Sequence, residues 1–312
     1  MRALVTGGNG FVGKHLAAAL RAHGSDVVTA GRAGDGEAVD LPLELSDAGS
    51  VRDALEHARP DVVFHLAAQT FVPEATRDPL ATYDVNALGT ARLFQALRQI
   101  GARPAPRVLV ASSGEVYGAR AAAEQPLRED LVPLPATPYA ASKVASEAFA
   151  LAAARTYGIP TLVTRAFNHI GPGQSERFAV ASFAHGLAAI AAGAKPVLDV
   201  GNLAARRDFL DVRDVVEAYI ALAERGTEGE IYNVCSGSAV AIQEVLRQLI
   251  MTARVAVEVR EDPARLRPSD VPLAYGDNAK LRAATAWEPR YSLAQSLRDI
   301  YADARARTAA AS

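Results

Sequence analysis

The segment VTGGNGFVGKHL (Val5 to Leu16) sets Gly7, Gly10 and Gly13 between an apolar, β-rich run, Ala3–Thr6, and a helical pattern, Val12–Arg21. Few local patterns constrain a fold more. The first glycine permits a tight turn, the second lets backbone amides approach a pyrophosphate, and the third lets the helix pack closely on its strand. The positive end of the helix then faces the phosphates. A chain that begins this way is predicted to open with a strand–loop–helix unit that holds a dinucleotide.

The rest of the first half keeps the same rhythm. Apolar runs at Asp26–Ala30, Val39–Leu43, Val62–Leu66, Val108–Ala111 and Thr161–Arg165 alternate with helical patterns at Val51–His57, Ala81–Ile100 and Ala140–Tyr157. Strands that are apolar throughout are expected where helices cover both faces of a parallel sheet. The fold class is therefore α/β, a doubly wound parallel-sheet Rossmann domain. After Phe167 the rhythm breaks at Gly171, Pro172 and Gly173. Helical patterns follow near Phe178–Ala192, Val212–Glu224 and Ile242–Met251, with a short strand at Glu230–Val234. We place an NADP(H)-binding domain at 1–166 and a smaller α+β substrate domain at 167–312, interleaved so that some segments return to the first. The alanine-rich end from Ala304 is expected to fray.

Composition narrows the function classes. A net charge of −2 offers no basic field for nucleic acid or a membrane surface, and half the residues are hydrophobic, which argues against disorder. The single cysteine, Cys235, precludes an intrachain disulfide and fits a reducing compartment. No metal-ligand cluster is read, and a cytoplasmic protein is the expectation.

Which dinucleotide binds turns on the end of the second strand, VVTAGRAG (Val27 to Gly34). NAD sites usually place an acid there for the ribose hydroxyl. Gly31 and Arg32 stand in its place, and an arginine suits a 2′-phosphate, so NADP(H) is favoured over NAD(H), which stays possible. Further on, Ser113 ends a strand in ASSGEVYG, and Tyr139 and Lys143 lie four apart in TPYAASK, on one helical face. An ammonium beside the phenol is expected to lower the tyrosine pKa so that it exchanges a proton with a carbinol or carbonyl, with Ser113 bonded to the same oxygen.

The glycine loop, Asn86 in DVNALGT, the strand-end serine and YxxxK, in this order, resemble the extended short-chain dehydrogenase/reductases over nearly the whole chain. That resemblance implies Tyr139 as acid/base, Lys143 as the residue that holds Tyr139 and the nicotinamide ribose, and Ser113 as the aligner of substrate oxygen. It implies cofactor contacts from Gly7, Gly10, Phe11, Val12, Gly13, Arg32, Glu44, Leu45, Leu66, Ala67, Ala68, Tyr139 and Lys143. Asn86 looks like the helix asparagine near the cofactor, with a purely structural amide the equal alternative. A homodimer through the YxxxK helix and the one before it is also implied.

The segments HLAAQTFVPEATRDP, RAFNHIGPGQ, VGNLAARRDFLDVRDVVEAY, YNVCSG and RLRPSDVPL are very similar to those of GDP-sugar enzymes, most of all the reductases that convert GDP-4-keto-6-deoxy-D-mannose to GDP-D-rhamnose. Arg207 and Arg267 match the diphosphate-binding arginines, consistent with bidentate guanidinium–phosphate pairing, and Asn168 and Asp270 join the expected substrate contacts. GDP-mannose 4,6-dehydratases share several of these segments, and Glu115 matches their base. Against that reading, Gly114 stands where they carry Ser or Asp, the loop after Asn168 lacks their paired-arginine insertion, and 312 residues is short for the group. A nucleotide-sugar 4-epimerase and an inert NADP-binding protein are the remaining alternatives.

Overall fold

A computed structural model describes residues 1–34, 38–265 and 271–311. The chain runs β1 (Arg2–Thr6), α1 (Phe11–Ala22), β2 (Asp26–Gly31), β3 (Leu41–Pro42), α2 (Ala48–Ala58), β4 (Val62–His65), α3 (Val72–Arg77), α4 (Pro79–Tyr83), α5 (Gly89–Ile100), β5 (Arg107–Ser113), α6 (Pro138–Tyr157) and β6 (Thr161–Ala166). It continues with β7 (Asn168–Ile170), α7 (Ala179–Ala191), β8 (Val197–Val200), β9 (Arg206–Arg207), β10 (Phe209–Asp211), α8 (Val212–Arg225), β11 (Ile231–Val234), β12 (Val240–Ala241), α9 (Ile242–Ala253), β13 (Glu258–Glu261), β14 (Leu273–Ala274), α10 (Ala279–Thr285) and α11 (Leu293–Ala311).

Seven strands form one parallel sheet in the order β11-β6-β5-β4-β1-β2-β3. The order reverses between β1 and β4, and the crevice outside their carboxyl ends is where such sheets bind ligands. One face is covered by α1 and α8 through Leu16, Leu20, Val215 and Tyr219, the other by α2, α5 and α6 through Leu55, Leu93, Phe94 and Ala150. A separate core joins α7, α9 and α11 through Phe183, Leu187, Leu246, Leu249, Leu297 and Tyr301. Short two- and three-stranded sheets, among them β10-β7 and β12-β9-β14, complete the second half.

Three local expectations need correction. The strand expected at Val39–Leu43 is the two-residue edge strand β3: Asp40 is diverted to cap Thr29, accepting from its N and Oγ1 at 2.8 Å each, and Pro42 suits an edge. The helix expected over Ala81–Ile100 is interrupted by a π-helical turn, Asp84–Leu88, where the Asn86 carbonyl accepts from Thr90 Oγ1 at 2.7 Å and from Ser146 Oγ on α6 at 2.8 Å. The strand expected at Glu230–Val234 is β11, which pairs with β6 in the main parallel sheet, and α8 packs against α1, so these need no correction. The tail does not fray. α11 continues to Ala311, with Ala304 fully buried against the third core and the Asp303 carboxylate accepting from Gly173 N at 3.0 Å.

Trp287 binds the end of the chain to the first core. Its ring is buried beside Val215 and Leu281, and its Nε1 donates to Asp214 O at 3.0 Å. Trp287→Ala is expected to destabilise the protein by about 3–5 kcal/mol, read as a lower urea midpoint of the transition that also melts the parallel sheet.

Candidate active site

The glycine loop closes on itself. Gly7 has φ +72°, Gly10 N donates to Gly7 O at 2.9 Å, and a Cβ on Gly13 would stand 2.1 Å from Gly7 O. The backbone therefore lies directly against the start of α1, with no space for a side chain. Gly10 caps α1 without any side-chain hydrogen bond, and no acidic residue occupies the first turn. Open amides at a positive helix end, lined by glycine, fit a pyrophosphate. At the neighbouring strand end, Thr6 Oγ1 accepts from Ala67 N at 3.1 Å. Phe11 and Val12 open α1, with Leu66, Ala67 and Ala68 directly after β4, so these five lie on the crevice between β1 and β4.

The other expected cofactor contacts sit further out. Asn9 Nδ2 donates to Arg32 O at 3.2 Å, holding the end of β2 against the glycine loop, and the Arg32 side chain is exposed. Glu44 Oε1 accepts from Ser46 N and Oγ. Leu45 spends its side chain in the core, and its carbonyl accepts from Arg92 Nη1 at 3.1 Å. Asn86 is buried: its Oδ1 accepts from Gln69 N at 2.7 Å and its Nδ2 donates to Gln69 O and Ser142 Oγ at 2.9 Å each. It braces the loop after β4 against α6.

Ser113, Tyr139 and Lys143 meet at the carboxyl end of β5. Thr137 caps α6 by accepting from Ala140 N, with Pro138 in the first turn, so Tyr139 enters the site on the first turn of a well-anchored helix. Tyr139 is 8% and Lys143 6% exposed. The electrostatics differ from the expectation. Burial first, then the Glu115 carboxylate, push the Tyr139 phenol well above its usual range, with Ser113 acting weakly in the other direction. Lys143 does not offset this. Its Nζ donates to Ala111 O at 2.8 Å, and burial lowers its own pKa to about 8, opposed by Glu147. A phenol out of water holds its proton more firmly than a nearby amine with another partner can relieve. His65, buried on β4 between Thr6 Oγ1 and Thr90 Oγ1, is held neutral, with a pKa near 3 from burial and then from the Lys143 charge.

Glu115 stands in a 3₁₀ turn, exposed, with its amide donating to Ser113 Oγ at 3.2 Å. Gly114 is packed: a Cβ there would lie 3.1 Å from three atoms of the Phe167 ring. Asn168 begins β7 and its Nδ2 donates to Asp208 O at 3.2 Å. Arg207 lies on β9, its Nη1 donating to Arg206 O at 3.0 Å. The buried Asp208 carboxylate accepts from Ser236 N and Gly237 N, so β9 is fixed to the loop after β11. Arg267 and Asp270 lie outside the described residues.

One group escaped the sequence reading: the buried ion pair of Glu147 and Arg165 behind Lys143, with Ser112. A signal existed. Glu147 continues the four-residue spacing of Tyr139 and Lys143, and Arg165 is a charge inside a strand of otherwise uncharged residues.

The GDP-mannose 4,6 dehydratase family profile matches residues 4–300. The chain belongs to the GDP-mannose 4,6-dehydratase family. Within this family it is similar to a GDP-6-deoxy-D-mannose reductase of Pseudomonas aeruginosa, 43% identical over 98% of both chains. Among solved structures, RMD from Pseudomonas aeruginosa complexed with NADPH superposes with a TM-score of 0.89 at 41% identity, covering 98% of this chain and 100% of the other. A Thermus thermophilus UDP-glucose 4-epimerase complexed with NAD gives 0.87 at 32% identity, covering 98% and 99%. The family is an extended short-chain dehydrogenase/reductase one. Among the described residues no helix is long and apolar enough to cross a membrane.

Proposed function

We propose that the protein reduces the C4 ketone of GDP-4-keto-6-deoxy-D-mannose to GDP-D-rhamnose with NADPH. The observation that carries the choice of reductase over dehydratase is Gly114. The dehydratases set a proton-donating Ser or Asp at this position, and here even a Cβ would press on the Phe167 ring at 3.1 Å. The 43% identity to the reductase over 98% of both chains supports the same reading, and the Arg32 position, together with the NADPH-bound relative, supports NADPH.

When bound, the dinucleotide supplies the hydride that the ketone accepts at C4. The residues that would hold it are Gly7, Gly10 and Gly13 with the open amides of α1, and Lys143 at the ribose. Tyr139 donates its proton to the C4 oxygen as negative charge develops there, and Ser113 hydrogen-bonds the same oxygen. The raised phenol pKa suits this direction, because a reductase needs the tyrosine protonated at neutral pH. Arg207 and Arg267 hold the diphosphate, joined by Asn168 and Asp270. A cytoplasmic location and a homodimer complete the reading. Exposed Leu80 on α4, Leu88 in the π turn and Phe149 on α6 support pairing through these helices.

Glu115 favours a second reading, since its charge reaches the catalytic tyrosine. Two incubations decide between them: GDP-mannose with NADP⁺, and GDP-4-keto-6-deoxy-D-mannose with NADPH. NADPH consumption and a deoxyhexose product in the second alone is the expected result. Conversion of GDP-mannose to the keto sugar in the first would make Glu115 a working base and the protein a dehydratase.

A further inference from the structure

Tyr139, Lys143 and Glu147 recur at four-residue spacing along one face of α6. Glu147 is 4% exposed, and its carboxylate accepts from Arg165 Nε at 2.9 Å, Arg165 Nη2 at 2.8 Å and Ser112 Oγ at 2.6 Å. Arg165 is itself buried, stacked 4.8 Å over the Tyr117 ring and donating to Glu129 O. In the sheet Ser112 lies directly opposite Arg165, so one carboxylate joins α6 to the ends of both β5 and β6. The residues on either side of Ser112 serve the chemistry: the carbonyl of Ala111 holds Lys143, and Ser113 faces Tyr139. Replacing a buried ion pair by apolar residues is often neutral or stabilising, so stability alone is a poor reason for this pair.

We propose that Glu147 is a positioning residue for the reduction: it locks the register of the catalytic helix against β5 and β6. The proposal rests on the reductase reading. Lys143 is faced by neutral His65 from β4, the Ala111 carbonyl from β5, and protonated Tyr139 and anionic Glu147 from its own helix. Arg165 and Tyr117 lie behind Glu147, while Glu115 and, from α8, Tyr219 act on Tyr139. Glu147 is therefore the charge that opposes burial at Lys143. The folded pKa of Lys143 is about 8, so the ammonium is lost as pH rises through that value. Removing the carboxylate lowers this point further.

The test compares wild type, Glu147→Gln, Glu147→Asp and the neutral pair Glu147→Gln/Arg165→Gln by kcat, KM, pH profile and Tm. In Glu147→Gln, kcat is expected to fall about tenfold or more, as for a small displacement of reacting groups, with KM for the keto sugar unchanged. Its alkaline limb is expected about one pH unit lower, the effect of a lost opposite charge. The neutral pair leaves no orphaned guanidinium, so its Tm is expected near that of wild type while kcat stays depressed. Wild-type kcat and an unmoved limb in the neutral pair would overturn the proposal. If neither neutral variant folds, Glu147→Asp decides: the limb is kept and kcat reduced if the carboxylate positions the helix, whereas wild-type kcat refutes it. Independently of turnover, the Lys143 Cε resonance, one of only four lysines, is expected to titrate at lower pH in Glu147→Gln without cofactor. Loss of turnover in wild type itself would strike the reductase reading, and the lysine titration would still judge Glu147.

Discussion

Tyr139→Phe is expected to lower kcat for ketone reduction by about two orders of magnitude or more, the usual worth of a positioned general acid. The substitution removes one oxygen at a site that is 8% exposed, so the fold should survive and KM for the keto sugar should change little. The argument rests on protonation. Burial and the Glu115 carboxylate keep the phenol protonated far above neutral pH, and among the groups around the site it is the one suited to give a proton to a developing alkoxide. His65 cannot replace it. It is neutral and enclosed between Thr6 and Thr90. Steady-state kinetics with the keto sugar measures the effect, and near-normal turnover in the variant would remove Tyr139 from the reaction.

Gly13→Ala is expected to weaken NADPH binding by about ten- to a hundredfold, the equivalent of the ~1–3 kcal/mol that overpacking costs. The new Cβ would lie 2.1 Å from Gly7 O and 2.8 Å from Gly8 Cα, both backbone atoms that cannot swing aside. The loop must lift off α1, and the amides that face the phosphates move with it. Fluorescence titration with NADPH gives Kd, and circular dichroism of the same sample separates lost binding from lost fold. A wild-type Kd would mean that the loop does not hold the pyrophosphate.

These two predictions draw on what was legible in the chain. A glycine loop, an apolar strand and a YxxxK pair are contiguous signals, because turn geometry, strand burial and helical spacing act over a few residues. The parallel sheet and the helix bearing Tyr139 and Lys143 were readable for that reason. The π turn at Asp84–Leu88 was not, since its Asn86 carbonyl meets Ser146 Oγ, 60 residues away, a partner that no local spacing announces. The alanine-rich end looked frayed because its composition carries no sign of the third core that buries Ala304.

By itself, the sequence determined the strand–loop–helix start, the alternation that makes a parallel sheet, and the residue types set at its carboxyl edge. Only the tertiary structure decided what state those residues occupy. Lys143 donates to Ala111 across 32 residues, Ser112 reaches Glu147 across 35, and Tyr117 donates to Asn233 across 116. The ionisation of Tyr139 and Lys143 follows from those contacts and from the exclusion of water around them. Desolvation and charge proximity are properties of folded space rather than of spacing along the chain. A tyrosine four residues before a lysine therefore marked the pair proposed for catalysis, and the packing of β5, β6 and α6 around it set the proton it carries.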